Sequence, residues 1–121
     1  DYQIPLALGS DVGGGNSFSM LKTAAEAYKV ASLQSIDFTA RNAFYLLTLG
    51  GAKALNLDAF IGNFEQGKEA DFIVVDPAAT ALMRERLEVA NTIDEIMFVL
   101  MMLGDERNIK QVFLQGKELI L

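Results

Sequence analysis

The 121-residue sequence contains no cysteine, no histidine and no tryptophan. Without cysteine it can form neither a disulfide framework nor a thiolate metal site, which fits a reducing cytoplasm. Without histidine it lacks the usual general base at neutral pH and the ligands of an ordinary catalytic zinc site. The side chains of this sequence therefore cannot complete a catalytic zinc site by themselves.

Basic residues are also scarce, since ten lysines and arginines face sixteen acidic residues and the net charge is -6. Nucleic acids and anionic membranes require a basic surface, so neither is expected as a partner. The longest apolar run covers residues 96–103, far short of the roughly twenty residues of a membrane span. The hydrophobic fraction of 51% is high, which suggests that some apolar faces need a partner, such as a second copy of the chain.

The chain alternates between strand and helix patterns. We expect a buried strand over Ile4–Leu8, a glycine loop over residues 9–16, and a helix over residues 17–30 capped by Asn16 or Ser17. The further expected elements are helices over 38–49 (capped by Asp37 and ended by Gly50 and Gly51), 52–57, 79–90 and 93–103, a strand over 71–75, and a terminal hairpin turning at Gln115-Gly116. The TIDE sequence at residues 92–95 matches a capping box. A boundary is expected near residues 58–64.

Asp11 is the strongest candidate for a functional residue. It ends an apolar run and precedes Val12 and three glycines, which allow a backbone to approach a ligand closely. In α/β sheets and barrels, functional side chains lie at the carboxyl ends of strands. A carboxylate there can bind a metal ion or accept a proton from water. The pattern equally fits an aspartate that caps a helix or forms a tight turn, and the residues alone leave both interpretations open.

Two further stretches are weaker candidates. The stretch DVGGGNS at residues 11–17 precedes a helix and can hold an anion, but it lacks the lysine and the spacing of a phosphate-binding P-loop. The stretch GDERN at residues 104–108 fits either a charged binding loop or a solvated turn after a helix, and we favour the turn. The five methionines are expected to fill the core.

Three stretches together cover most of the chain and carry a resemblance to a known family. They are LGSDVGGGNSFSML at residues 8–21, residues 46–77 with their pattern of Gly62, Gly67, Ala70 and Asp71, and residues 103–120, which begin LGDERNI. In these stretches the chain resembles the guanine deaminases, which belong to the amidohydrolase superfamily of metal-dependent hydrolases. The glycine pattern at residues 62–71 is common to the superfamily, whereas the first and last stretches point to guanine deaminases.

The resemblance implies an α/β fold that is the C-terminal part of a metal-dependent amidohydrolase (β/α)8 barrel plus the C-terminal strands of its small β-sandwich domain. Residues 1–57 would supply the last barrel strand and the helices after it. Residues 58–121 would supply the C-terminal part of the β-sandwich domain with its helices. In such enzymes zinc is held by histidines on earlier strands and by an aspartate after strand 8, whose position matches Asp11.

The implied reaction of the full-length protein is hydrolytic deamination of guanine to xanthine and ammonia. Asp11 would be both a metal ligand and a catalytic residue that accepts a proton from the attacking water. This chain alone would be inactive and free of zinc, and its unpaired apolar strand would favour self-association. Two alternatives remain: an amidohydrolase with another substrate, and an acidic interaction domain without catalytic activity.

Overall fold

The fold, described here from a computed structural model for residues 4–120, combines helices with a small sheet. Its elements are α1 (Met20–Leu33), α2 (Ala40–Leu47), α3 (Leu49–Ala54), β1 (Phe72–Val75), α4 (Ala81–Leu87), α5 (Ile93–Leu103), β2 (Ile109–Leu114) and β3 (Lys117–Glu118). The predicted mixture of helices and strands is confirmed. Among the helices of residues 4–120, none has the length and apolar character that crossing a membrane requires.

The core lies where α1, α2 and α5 meet. Ala24 of α1 and Ala43 of α2 are fully buried beside Met101 of α5. Alanine side chains are short, so the helix backbones approach closely while the flexible methionine fills the remaining space. Tyr28 and Phe98 extend this contact between α1 and α5, with their rings edge to face and their centroids 5.3 Å apart.

The predicted capping box at the start of α5 is confirmed. The Thr92 hydroxyl accepts a hydrogen bond from the Glu95 N–H at 3.2 Å, and the Glu95 carboxylate accepts one from the Thr92 N–H at 3.0 Å. These two bonds satisfy backbone groups that the first turn of a helix leaves without partners. As predicted, α5 ends where Gly104 begins an extended segment.

The predicted caps of the first two helices were wrong by two or three residues. Ser19, rather than Asn16 or Ser17, occupies the cap position of α1. Thr39 caps α2 in place of Asp37, because Thr39 and Asn42 form a reciprocal capping box. The threonine has a partner three residues later, which the sequence position of the aspartate does not offer.

Gly50 and Gly51 do not end a helix as predicted. The helix breaks earlier, at Thr48, and both glycines lie within α3. A Cβ atom on Gly50 would come within 2.8 Å of the Tyr45 ring, so the position requires glycine because of close packing. The predicted short helix over residues 52–57 accordingly begins at Leu49 and ends at Ala54.

The predicted strand over Ile4–Leu8 was also wrong. These residues adopt no regular secondary structure, and Ile4 and Leu6 are 70% and 65% exposed. A strand needs a neighbouring strand for its backbone hydrogen bonds, and the described residues supply none beside this segment. Leu8 alone packs against the helical core.

The sheet has the order β1-β2-β3 with antiparallel neighbours. The predicted strand and hairpin are confirmed as β1, β2 and β3, although Leu121 lies outside the described residues. Phe72 of β1 stacks on Phe113 of β2 with ring centroids 4.4 Å apart. The Asp71 carboxylate accepts a hydrogen bond from the Gln115 N–H at 2.7 Å, so the superfamily pattern at residues 62–71 holds the hairpin turn.

Candidate functional site

The glycine loop forms a tight turn around Asp11. The backbone carbonyl of Asp11 accepts hydrogen bonds from the N–H groups of Gly14, at 3.0 Å, and Gly15, at 2.5 Å. Asp11 itself has a φ of 51°, in the left-handed region that few residues other than glycine adopt. Aspartate is among the residues that tolerate this region, so the turn can carry a carboxylate at this position.

Each of the three glycines has a steric reason to be glycine. Gly13 has a φ of +100°. A Cβ atom on Gly14 would lie 2.6 Å from Oδ2 of Asp11, and one on Gly15 would lie 1.8 Å from the carbonyl oxygen of Ser10. Gly14 therefore leaves room for the Asp11 side chain, and Gly15 leaves room for the backbone of the turn.

The Asp11 carboxylate is not a helix cap, because Ser19 occupies the cap position of α1. The side chain is exposed and lines a hollow of about 150 Å³ together with residues of the glycine loop and Phe18. No group within residues 4–120 donates a hydrogen bond to this carboxylate. The cap interpretation was therefore wrong, whereas the turn is made by the backbone of Asp11 and leaves its oxygens available.

A carboxylate oxygen is an ordinary zinc ligand, so Asp11 fits one position in a zinc site. Residues 4–120 contain no group of three His, Cys, Asp or Glu side chains that could hold a metal ion together. The glycine loop can thus contribute one ligand, and the described residues do not complete a site of three such side chains.

The second candidate, the GDERN corner (residues 104–108), is not the solvated turn that we predicted. Asp105 is only 8% exposed and Asn108 is fully buried. Arg107 binds both carboxylate oxygens of Asp105, with Nε 2.9 Å from Oδ1 and Nη2 2.7 Å from Oδ2. This guanidinium lowers the pKa of Asp105 to about 2, and the charge of Lys22 on α1 contributes in the same direction.

Asn108 connects the GDERN corner to two other parts of the fold. The side-chain NH2 group of Asn108 donates a hydrogen bond to the backbone carbonyl of Asp76 at 2.7 Å. The backbone carbonyl of Asn108 accepts a hydrogen bond from the Asp76 N–H at 2.8 Å. The Asn108 side chain also contacts the sulfur of Met83 on α4 at 3.4 Å. The spacing Asp105–x–x–Asn108 is that of a capping box, a signal in the sequence that could have predicted this ordered corner.

A larger cavity of about 580 Å³ lies between α1, α2 and α5, and its lining includes neither Asp11 nor the glycine loop. Tyr28, Phe38 and Phe98 give it an apolar wall, and Arg41 and Asp94 form an ion pair at its rim. None of the sequence-predicted site residues lies there.

Comparison with known proteins identifies the class. The profile of the amidohydrolase family matches residues 1–119. The chain belongs to this family. It is similar to the guanine deaminase of Escherichia coli (strain K12), with 47% identity over 115 residues, which is 95% of this chain and 26% of the relative. The chain thus spans about a quarter of the length of that relative.

Solved structures agree with the sequence comparison. A structure of E. coli guanine deaminase superimposes with a TM-score of 0.93 at 46% identity, over 96% of this chain and 27% of that one. A guanine deaminase from C. acetobutylicum with bound guanine in the active site superimposes with a TM-score of 0.71 at 26% identity, over 94% of this chain and 27% of that one. An adenosine deaminase from Xanthomonas campestris with bound zinc superimposes with a TM-score of 0.57 at 27% identity, over 81% of this chain and 20% of that one.

Proposed function

We propose that this chain is part of a zinc-dependent guanine deaminase that converts guanine to xanthine and ammonia. The observation that carries the proposal is the similarity to E. coli guanine deaminase over nearly the whole chain, at 46% identity and a TM-score of 0.93. In this proposal residues 1–57 contribute the last strand and following helices of a (β/α)8 barrel, and residues 4–8 would form that strand only beside a neighbouring strand of the full-length protein. Residues 58–121 contribute the C-terminal part of a β-sandwich domain.

Asp11 is the residue that performs chemistry in this proposal. Its carboxylate is exposed at the surface of the hollow and is not engaged as a helix cap. Its carboxylate would be one ligand of the metal, and it would accept a proton from the attacking water and return that proton to the departing amino group. The closed turn fixes the backbone of Asp11, which limits the directions in which the carboxylate can point.

Zinc, when bound, lowers the pKa of a water molecule towards about 7 and so supplies a nucleophile at neutral pH. The adenosine deaminase neighbour with bound zinc supports this choice of metal. Asp11 offers a hard oxygen donor, and Gly14 has no side chain that would crowd its carboxylate. The substrate is proposed from the neighbour that contains guanine in its active site.

The test is the Asp11→Asn variant of the full-length protein. The substitution keeps the size of the side chain and removes its negative charge, so guanine turnover should fall by about 10²-fold or more. The melting temperature should change little, because the turn is closed by the backbone of Asp11 rather than by its side chain.

The matched control is Asp37→Asn, which removes an exposed aspartate outside the glycine loop. It should leave turnover of guanine unchanged. Near-normal turnover by Asp11→Asn would refute the catalytic assignment. A wild-type full-length protein that binds zinc but does not deaminate guanine would refute the proposed substrate.

Two further expectations from the sequence belong to this proposal. Large apolar side chains are exposed on the described surface, including Phe18, Leu33 and Ile120 at 80%, 86% and 98%. We expect these side chains to be buried either against the rest of the full-length protein or against a second copy of it. Light scattering would distinguish the two cases by giving the molar mass of the full-length protein in solution. A cytoplasmic location is proposed from the absence of cysteine, and cell fractionation would test it.

A further inference from the structure

We propose that the GDERN corner positions the Asp11 loop by clamping the first turn of α1, so that Asp105 and Gly104 are positioning residues for the reaction. The proposal rests on the proposed function only in taking Asp11 as the reacting carboxylate. Its structural part, the mechanical connection between the two loops, can be measured without any substrate.

The first step is the contact between Gly104 and α1. A Cβ atom on Gly104 would lie 2.8 Å from Cδ1 of Leu21 and 2.3 Å from the carbonyl oxygen of Leu100. Real Cβ atoms do not approach this closely, so α5 ends directly against the second residue of α1. A larger residue at position 104 meets the last turn of α5 and must also displace the end of the Leu21 side chain, so it changes the packing of the first turn of α1 against this corner.

The second step is that the same end of α5 also borders the segment that follows the glycine loop. Met102 lines a shallow hollow together with Asn16, Ser17 and Lys22. The charge of Lys22 also lowers the pKa of Asp105, after the larger effect of Arg107. Gly104 therefore lies against Leu21 in the first turn of α1, and Met102 lies across the hollow from the residues just before α1.

The third step is that the corner itself is held firmly. Asp105 is bound through both carboxylate oxygens by Arg107 and accepts a further hydrogen bond from the Arg107 N–H at 3.0 Å. Asn108 accepts from the Asp105 N–H at 3.0 Å and ties the corner to Asp76. Buried and fully paired polar groups of this kind stiffen the backbone that they join.

The last step connects the start of α1 to Asp11. The Ser17 hydroxyl accepts from the Ser19 N–H at 3.0 Å, and the Ser19 carbonyl accepts from the Thr23 N–H at 3.1 Å. Between Ser17 and Asp11 lies the glycine turn, whose closing hydrogen bonds end on the Asp11 carbonyl. The segment from Ser19 back to Asp11 is short and contains two hydrogen-bonded turns that are joined at Asn16, so in this proposal a shift of α1 moves the carboxylate.

The experiment compares Asp105→Asn, Gly104→Ala and a matched control, Asp94→Asn, in the full-length protein. Asp94 is also bound through both oxygens by an arginine, Arg41, but that ion pair is exposed and joins α2 to α5. Hydrogen exchange of residues 11–17 is measured by mass spectrometry, together with kcat and KM for guanine and the melting temperature.

We expect exchange in residues 11–17 to rise about tenfold in Asp105→Asn and in Gly104→Ala, because the segment opens more often when its support is loosened. Measured well below the melting temperature, kcat should fall about tenfold while KM changes little, since Asp11 would be misplaced only for the reaction itself. Asp94→Asn should leave exchange, kcat and KM unchanged.

Unchanged exchange in residues 11–17 in both variants, or an equal rise in Asp94→Asn, would overturn the proposal and leave the corner a purely structural element. Should Gly104→Ala fail to fold, the nearly isosteric Asp105→Asn decides alone. A wild-type protein without guanine turnover would refute the proposed function while the exchange result would stand by itself.

Discussion

Replacing Asn108 by alanine tests how much stability a single buried amide provides. Asn108 is fully buried, and its two polar atoms bind the N–H of Asp105 at 3.0 Å and the carbonyl of Asp76 at 2.7 Å. Alanine would remove both bonds and leave a small void beside Met83. Because the site is enclosed, water cannot readily replace the lost partners.

The expected loss follows from the two orphaned backbone groups. A buried polar group left without a partner costs about 1–3 kcal/mol, so the two together predict a destabilisation of about 3 kcal/mol for Asn108→Ala. Asn42 provides a matched control, since its Oδ1 accepts from the Thr39 N–H at 2.8 Å in the same three-residue spacing but at an exposed position. There water replaces the lost bond, and alanine should cost about 0.5–1 kcal/mol.

Urea unfolding followed by circular dichroism would measure both variants, with the slope of each transition compared to confirm that the unfolded states are alike. The reasoning requires a difference of about 2 kcal/mol between Asn108→Ala and Asn42→Ala. Equal losses at the two positions would refute it, because burial would then add nothing to the capping hydrogen bond.

Two further predictions concern the corner and the glycine loop. Arg107 lowers the pKa of Asp105 from 3.8 to about 2, so the stabilisation from this carboxylate is complete above about pH 4 and is lost as the pH falls towards 2. Melts of wild type and Asp105→Asn between pH 5 and pH 2 should therefore converge as the pH falls, and a constant gap would contradict the assignment. Gly15→Ala in the full-length protein should abolish guanine turnover with little change in melting temperature, because its Cβ would lie 1.8 Å from the Ser10 carbonyl in an exposed loop. Gly9→Ala, which meets nothing within 4 Å, is the control, and equal turnover by the two variants would show that the loop tolerates rearrangement.

Elements whose signals lie within the element itself were predicted well from the sequence. The helix α5 has its capping box at Thr92 and Glu95 and its end at Gly104, and both appear where predicted. The terminal hairpin also follows from its own residues, since Gln115 and Gly116 both adopt the positive φ that a two-residue turn needs. In these cases the signals for the cap and for the turn lie within a few residues of each other, although the Asp71 carboxylate adds a distant hydrogen bond to the hairpin turn.

Other predictions failed because the deciding contact cannot be read from the residue type alone or needs a partner outside the described residues. Nothing around Gly50 indicates that it packs against the Tyr45 ring rather than ending a helix. The apolar pattern of Ile4–Leu8 is that of a strand, but pairing requires a neighbour that residues 4–120 do not provide.

The candidate site contains one feature that depends on local contacts and one that depends on distant contacts. The turn around Asp11 is local, since its hydrogen bonds join residues three and four apart, and the sequence DVGGG therefore predicted it correctly. The corner that supports the turn is not local: Asn108 reaches Asp76, 32 residues away, and Gly104 meets Leu21 across the interface of α1 and α5. The composition of a charged stretch such as GDERN predicts an exposed turn. Its burial depends on partners from three other parts of the fold, which the stretch itself does not reveal. The candidate carboxylate and its turn could thus be identified from the sequence, whereas the residues that we propose to hold it in place become evident only from the packing of the folded chain.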